Sequence, residues 1–349
     1  MTSVKLAIDF GSANMKILGY INGIERKSTI RSLSCINSLD ENYVVNYNNN
    51  EIHFGVGSPL VKVNKIERDY IVESILLATN EIYGDIDDYF DVSLAIGLPL
   101  EQYKSSSKDD YEISLKNKFL NNKIKGIVNG KEIIINVNFI IIYAEGYSGF
   151  ISLFNIFNKT EPFLVIDVGY KTTDVIGLSL RTSSNKLTID KYCSINTGTL
   201  EIFNYIKNKL YDDTKYNCPS NIIEDSIIGN RLLRIPTQNV STKINPKEWL
   251  KYGSYVVNDM FNTLETDYFP DIKTRNIYFI GGGVSLIYSI FNQSGNLNKY
   301  KSLNLEFLSN NEQALYANVS GYYIQLERDL KLMNPVIPLY NILPNKKVI

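Results

Sequence analysis

The sequence predicts a mixed α/β fold of two related domains, and three observations carry that expectation. Ile8-Asp9-Phe10-Gly11 returns as Ile166-Asp167-Val168-Gly169, once in each expected domain. Both copies have a further glycine ten residues after the aspartate, Gly19 and Gly177. Strand-like and helix-like runs alternate throughout, and 349 residues exceed the roughly 100–200 of a usual domain.

Taken in order, Val4 to Phe10 is rich in β-formers, Gly11 breaks the run, and Met15 to Tyr20 begins another, which predicts strand, tight turn, strand. Apolar residues at helical spacing predict a helix over Glu67–Tyr83, stopped by Gly84. Asp91–Ile96 returns to strand and enters the turn Gly97-Leu98-Pro99. Tyr103–Phe119 reads as a charged surface helix and Ile133–Ile142, rich in β-branched residues, as a buried strand. Ala144–Phe157 reads as a helix, and the domain boundary falls inside it. The second half repeats the order with strands Phe163–Val168, Asp174–Leu180 and Leu187–Ser194, then a helix over Thr199–Tyr211. Trp249, Tyr252, Val256, Met260, Leu264 and Tyr268 recur every three or four residues, a core-facing helical stripe that Pro270 closes. A last strand, Asn276–Ile280, runs into Gly281-Gly282-Gly283 and a helix from Val284.

Composition excludes several classes. Hydrophobic residues at 44% and charged residues at 21% are ordinary globular usage. A net charge of -1 gives no basic field for a phosphate backbone, so direct nucleic-acid binding is not expected. Cys35, Cys193 and Cys218 contain no CxxC pair, which argues against a disulfide framework or a zinc site and fits a reducing cytoplasm. The chain opens directly into a strand and has no stretch apolar enough to span a bilayer, so a soluble cytoplasmic protein without membrane association is expected. The single histidine, His53, reads as a surface or turn residue.

Each repeated motif puts an aspartate at the end of a buried strand, ahead of a glycine turn whose backbone N–H groups form an anion-binding concavity. Ser12, Asn14, Thr172 and Thr173 add hydroxyl and amide donors, and Lys16 adds positive charge. A carboxylate repels a phosphate, whereas Mg²⁺ accepts carboxylate oxygens, usually through water, together with phosphate oxygens. Asp9 and Asp167 are therefore candidate groups for positioning Mg²⁺ and water, and the matched spacing favours this over two unrelated Asx turns. Gly281-Gly282-Gly283 lets the backbone approach a flat ligand closely. No Lys-Ser or Lys-Thr follows, so it is not a P-loop. Glu145 has two readings: it orients the water that attacks a γ-phosphate, or it is a first-turn glutamate favoured by the helix dipole.

In this order the pieces resemble the superfamily of actin, sugar kinases and heat-shock chaperones. Ile96-Gly97-Leu98-Pro99-Leu100 and Ala317-Asn318-Val319-Ser320-Gly321-Tyr322 look like segments of the plasmid-segregation actins, the ParM group, and their archaeal relatives. The resemblance implies an actin-like α/β fold: two ribonuclease-H-like domains with inserted subdomains around a central nucleotide cleft. Domain I would be residues 1–147 plus 322–349 with an insert at about 22–90, and domain II residues 148–321 with an insert at about 201–271. The inserts would carry filament contacts. The implied cofactors are ATP or GTP and Mg²⁺. Asp9 and Asp167 would then serve the metal, through water, and the attacking water, which Glu145 would polarise. Gly11, Ser12, Asn14, Lys16, Gly169, Thr172 and Thr173 would contact phosphates, and Gly281, Gly282 and Gly283 the purine nucleoside. Gly198 would bring a further turn to the nucleotide, while Tyr170 and Lys171 depart from the pattern by making the second turn bulkier. The implied function is a filament-forming ATPase or GTPase for plasmid DNA segregation, assembling with itself and coupled to centromere DNA by a ParR-type adaptor. A small-molecule kinase of the same superfamily and another bacterial actin-like cytoskeletal protein are the alternatives.

Overall fold

A computed structural model describes residues 1–36, 43–59, 68–120, 122–154, 161–181, 186–229, 231–236, 241–293, 300, 303–308 and 311–333. Two compact units emerge, Met1–Ile156 with Tyr316–Ile349, and Phe157–Leu315.

The first unit holds strands β1 (Thr2–Phe10), β2 (Asn14–Ile21), β3 (Ile24–Arg31), β4 (Leu33–Cys35), β5 (Val44–Tyr47), β6 (Asn50–Phe54) and β7 (Ser58–Pro59). Helix α1 (Ile71–Tyr83), β8 (Tyr89–Leu98), α2 (Leu100–Lys104), α3 (Ser107–Phe119), β9 (Lys123–Val128), β10 (Lys131–Ala144) and α4 (Tyr147–Ser152) follow. The strands form one sheet in the order β3-β2-β1-β8-β10-β9-β5-β6-β4-β7. β1 is central, and every residue from Leu6 to Phe10 is buried, the apolar ones as expected when both faces of a strand are covered and Asp9 among them. Leu6, Ile8, Val92, Leu94, Ile133 and Ile135 share one core with Ile75 and Leu76 of α1 and Leu115 and Phe119 of α3.

The second unit holds β11 (Phe163–Val168), β12 (Thr173–Arg181), β13 (Lys186–Ile195), α5 (Thr199–Thr214), α6 (Ser220–Ile228), β14 (Leu233–Pro236) and β15 (Ser241–Ile244). Then come α7 (Leu250–Thr263), β16 (Asn276–Ile280), α8 (Val284–Gln293) and β17 (Asn304–Phe307). Its sheet runs β13-β12-β11-β16-β17, with β14 and β15 as a separate pair. Leu164, Ile166, Ile277 and Phe279 pack with Ile202, Phe203, Val257, Phe261 and Ile287 of the helices. Helix α9 (Asn311–Met333) begins in this unit and continues in the first.

The two sheets share a pattern. β3-β2-β1 and β13-β12-β11 are both antiparallel triplets. β8 and β10 run parallel to β1, as β16 and β17 do to β11. The short repeated motif is thus the part of a repeated five-strand arrangement that survives in the residues. β3 belongs to this arrangement, although the sequence assigned it to an insert.

Several expectations are corrected. The helix read over Tyr103–Phe119 is two helices, because Ser105 is extended at φ -77 and ψ 157 and its hydroxyl donates to Gln102 O at 2.7 Å. β10 extends through Ala144, and α4 is only six residues long, starting after Gly146 at φ 67. Tyr70, at φ 53, delays α1 to Ile71. The α7 stripe ends in a π-helical turn over Leu264–Tyr268. His53 is buried in β6 between Ile52 and Phe54, which are buried as well, with Nε2 3.0 Å from Glu51 Oε1. The expected helix start at Glu67, the helix end at Phe157 and the stretch 334–349 lie outside the described residues.

Candidate functional site

The first hairpin joins β1 to β2 through Gly11-Ser12-Ala13, with Phe10 opposite Met15 and Asp9 opposite Lys16. A Cβ on Gly11 would lie 2.5 Å from Asn14 O, so the turn closes only around glycine. Ser32 pins it from outside, its N–H donating to Ala13 O at 2.7 Å and its hydroxyl to Gly11 O at 2.5 Å. Gly11, Ser12, Ala13 and Asn14 stay half-buried at the end of a strand that is otherwise core. Asp9 is 2% exposed, and Lys16 Nζ stands 2.9 Å from its Oδ2. The lysine expected beside a phosphate thus reaches the aspartate of its own hairpin.

The second hairpin repeats this build. Val168 faces Thr173 and Asp167 faces Asp174. Gly169 N–H donates to Thr172 O at 2.9 Å, and a Cβ on Gly169 would sit 2.7 Å from that oxygen. Gly169, Tyr170, Lys171 and Thr172 are half-buried, so the bulkier side chains at Tyr170 and Lys171 leave the turn accessible. Asp167 is 6% exposed. The sequence reading gave Asp174 no role, although the signal was present: Lys16 and Asp174 each stand seven residues after the motif aspartate. Asp174 is buried, and burial first, then its charge, pushes the neighbouring Cys193 thiol up to about 12.

Two more predicted elements converge on this hairpin. Thr199 N–H at the start of α5 donates to Gly169 O at 3.1 Å, and Leu200 N–H to Tyr170 O at 2.8 Å. Gly198 sits in that crossing, where a Cβ would come within 2.8 Å of Gly169 O. Gly281, at φ +92, leaves room for Asp167 Oδ1 and Val168 O, and Gly283 for Val168 and Thr199 side chains. The close approach served by Gly281 and Gly283 is therefore to the protein itself. Gly282 keeps an open face, its nearest neighbour being Leu315 Cδ1 at 3.7 Å. Thr173 needs correction as a phosphate donor: it is fully buried, and its Oγ1 donates to Thr197 O at 2.7 Å, fixing the turn before Gly198. Beneath lies a void of only about 10 Å³, at the threshold for one water, so packed core backs the hairpin.

Glu145, 4% exposed, lies between β10 and α4. Its N–H donates to Leu98 O at 2.8 Å, and the next N–H, of Gly146, to Asn318 Oδ1 at 2.9 Å. Gly321 makes room for Ser148 O, Gly97 for the Tyr322 hydroxyl, and Gln325 Nε2 donates to Ser148 Oγ at 2.7 Å. The two segments singled out by resemblance, Ile96–Leu100 and Ala317–Tyr322, thus meet around the turn that carries Glu145. Because Glu145 precedes the helix and its Gly146 cap, the first-turn dipole reading does not apply to it.

Half-buried glycine turns beside buried carboxylates suit a phosphate with a hydrated cation. Among the described residues no three His, Cys, Asp or Glu side chains form a ready-made metal site. No described helix is long and apolar enough to cross a membrane.

Residues 7–147 match the family model described as the N-terminal domain of actin-like proteins, and residues 165–293 that of the C-terminal part of archaeal MreB-like actin homologues. The chain is a member of the actin-like superfamily, one such domain lying in each unit. Solved structures agree on the fold. An archaeal actin homologue in complex with ADP is 17% identical, with a TM-score of 0.72 over 93% of this chain and 99% of its own. A ParM from Clostridium botulinum, solved as a 15-stranded filament, is 16% identical at a TM-score of 0.65, covering 94% and 100%. ParM from Bacillus thuringiensis with ATP is 14% identical at 0.64, covering 95% and 100%. No curated protein matches the chain.

Proposed function

We propose that this chain is a nucleotide-dependent, filament-forming ATPase or GTPase. The observation that carries the reading is the repeated hairpin: in each unit a buried aspartate ends a central strand, and a half-buried turn closes around a glycine two residues later. Backbone N–H groups of Gly11-Ser12-Ala13 and of Gly169-Tyr170-Lys171-Thr172 bind phosphate oxygens, with Ser12, Asn14 and Thr172 side chains beside them. Mg²⁺, held through water by Asp9 and Asp167, would supply charge neutralisation at the phosphates. Glu145 accepts a proton from the attacking water, on a turn held by Leu98 and Asn318. Gly282, with its open face, offers backbone to the nucleoside.

Assembly follows from kinship, since one relative of this fold was solved as a filament and another with ATP. We assign the chain to cytoplasmic segregation of plasmid DNA, self-assembling through its inserted regions and reaching centromere DNA through a ParR-type adaptor. Light scattering and phosphate release after adding Mg²⁺ with ATP or GTP test this. The expected result is assembly with a triphosphate and slow release of phosphate. No assembly, with turnover only when a sugar is added, would replace the reading with a small-molecule kinase.

A further inference from the structure

Arg68, in the first unit, has no task in the function proposed above. It is 7% exposed, and its Nε and Nη1 have no hydrogen-bond partner. Its contacts are soft: the guanidinium carbon lies 4.4 Å from the centre of the Phe10 ring, and Nη2 is 4.0 Å from Met15 Sδ. A buried charged donor without an acceptor is unfavourable, and most such groups in folded proteins have a partner. Burial draws the Arg68 guanidinium down to about 10, while Tyr111 and Asp9 oppose that shift.

Arg68 also lines a cavity of about 390 Å³, within the roughly 300–1,000 Å³ range of small-molecule pockets. One face of α3 lines the same cavity with Ser107, Asp110, Tyr111, Ser114 and Lys118, spaced as neighbours on a helix surface. The ion pairs described along α3 use Lys108, Asp109, Glu112 and Lys116, which leaves Lys118 and Asp110 for the cavity.

We infer that this cavity binds a small tetrahedral oxyanion of the hydrogen-phosphate class, with the Arg68 guanidinium as its principal positive group. Lys118 supplies the second positive charge, and the hydroxyls of Ser107 and Ser114 donate to the remaining oxygens. Asp110 sets selectivity, because a carboxylate accepts a hydrogen bond from a protonated phosphate oxygen but repels a fully deprotonated anion such as sulfate. The inference is independent of the nucleotide reading.

Calorimetric titration of orthophosphate into the full chain, at constant ionic strength and with excess ADP, tests it. ADP keeps phosphate from competing for the hairpins if they bind nucleotide; if they do not, the Arg68-dependent part of the response is still what is read. Wild type should bind phosphate at least about tenfold more tightly than sulfate, and Arg68→Met should weaken phosphate about tenfold or more. Should Arg68→Met fail to fold, Lys118→Met, on an exposed position, should still weaken phosphate measurably. Asp110→Asn should bring sulfate level with phosphate. No phosphate binding by wild type, or unchanged affinity in folded Arg68→Met or Lys118→Met, would overturn the inference.

Discussion

Asp9 and Lys16 face each other across the first hairpin, with Nζ 2.9 Å from Oδ2 and both side chains buried, whereas Asp167 in the second hairpin faces Asp174. The hairpins share a backbone and differ in charge. Removing one partner of a buried ion pair leaves the other charge uncompensated in a poorly solvated place, at a cost of about 3–5 kcal/mol. Lys16→Met should therefore lower unfolding stability by about 3 kcal/mol in urea denaturation, and a loss below about 1 kcal/mol would show that the pair is not the principal support of Asp9.

The glycines test the turns rather than the charges. Gly11→Ala and Gly169→Ala push a methyl against Asn14 O and Thr172 O, respectively. The hairpin must open to relieve the contact, so each variant should lose about 1–3 kcal/mol of stability. Nucleotide affinity should fall about tenfold or more in each, read by fluorescence titration.

Glu145→Ala should slow nucleotide hydrolysis by about 100-fold or more, as for loss of a general base, while leaving assembly largely intact. Asn318→Ala removes the acceptor of Gly146 N–H and leaves that buried donor unsatisfied, costing about 1–3 kcal/mol. Hydrolysis should slow more than assembly in this variant too, because the turn bearing Glu145 loosens. Equal effects on both readouts would argue that Asn318 supports the fold alone.

Burial, reinforced by Asp174, pushes the Cys193 thiol up to about 12, and burial also raises Cys218. The folded state favours the neutral thiols, so this contribution is fully present below the unfolded thiol pKa and is lost as pH rises through the folded one. Stability should fall as pH passes from about 8.5 upward. At pH 8 both thiols should resist iodoacetamide in the native chain and react after denaturation, with mass spectrometry locating the adducts.

How much of this was legible depends on how local each cause is. β1, β11 and β16 read directly from the chain because predominantly apolar, β-rich runs ending in glycine mean buried strands with turns at their ends. Asp9, Gly11, Asp167 and Gly169 were readable because the same local chemistry occurs twice. Ser32, which pins the first turn, and Asn318, 172 residues from Gly146, act through contacts that no spacing encodes. Thr173 looked like a phosphate donor because a hydroxyl in a turn motif carries no mark of the burial that the Gly198 crossing imposes. His53 misled for the related reason that a polar stretch can still end in a strand whose last three residues, Ile52, His53 and Phe54, are all covered. The split at Ser105 and the short α4 follow from one side-chain hydrogen bond and one glycine, each too small to outweigh the surrounding periodicity.

The most direct test of the central claim is the stoichiometry and affinity of a Mg²⁺–nucleotide complex in wild type, Asp9→Asn and Asp167→Asn. One nucleotide per chain, bound at least about tenfold more weakly in each single variant, is the predicted result. Wild-type affinity retained by either variant, or no nucleotide bound at all, would contradict it.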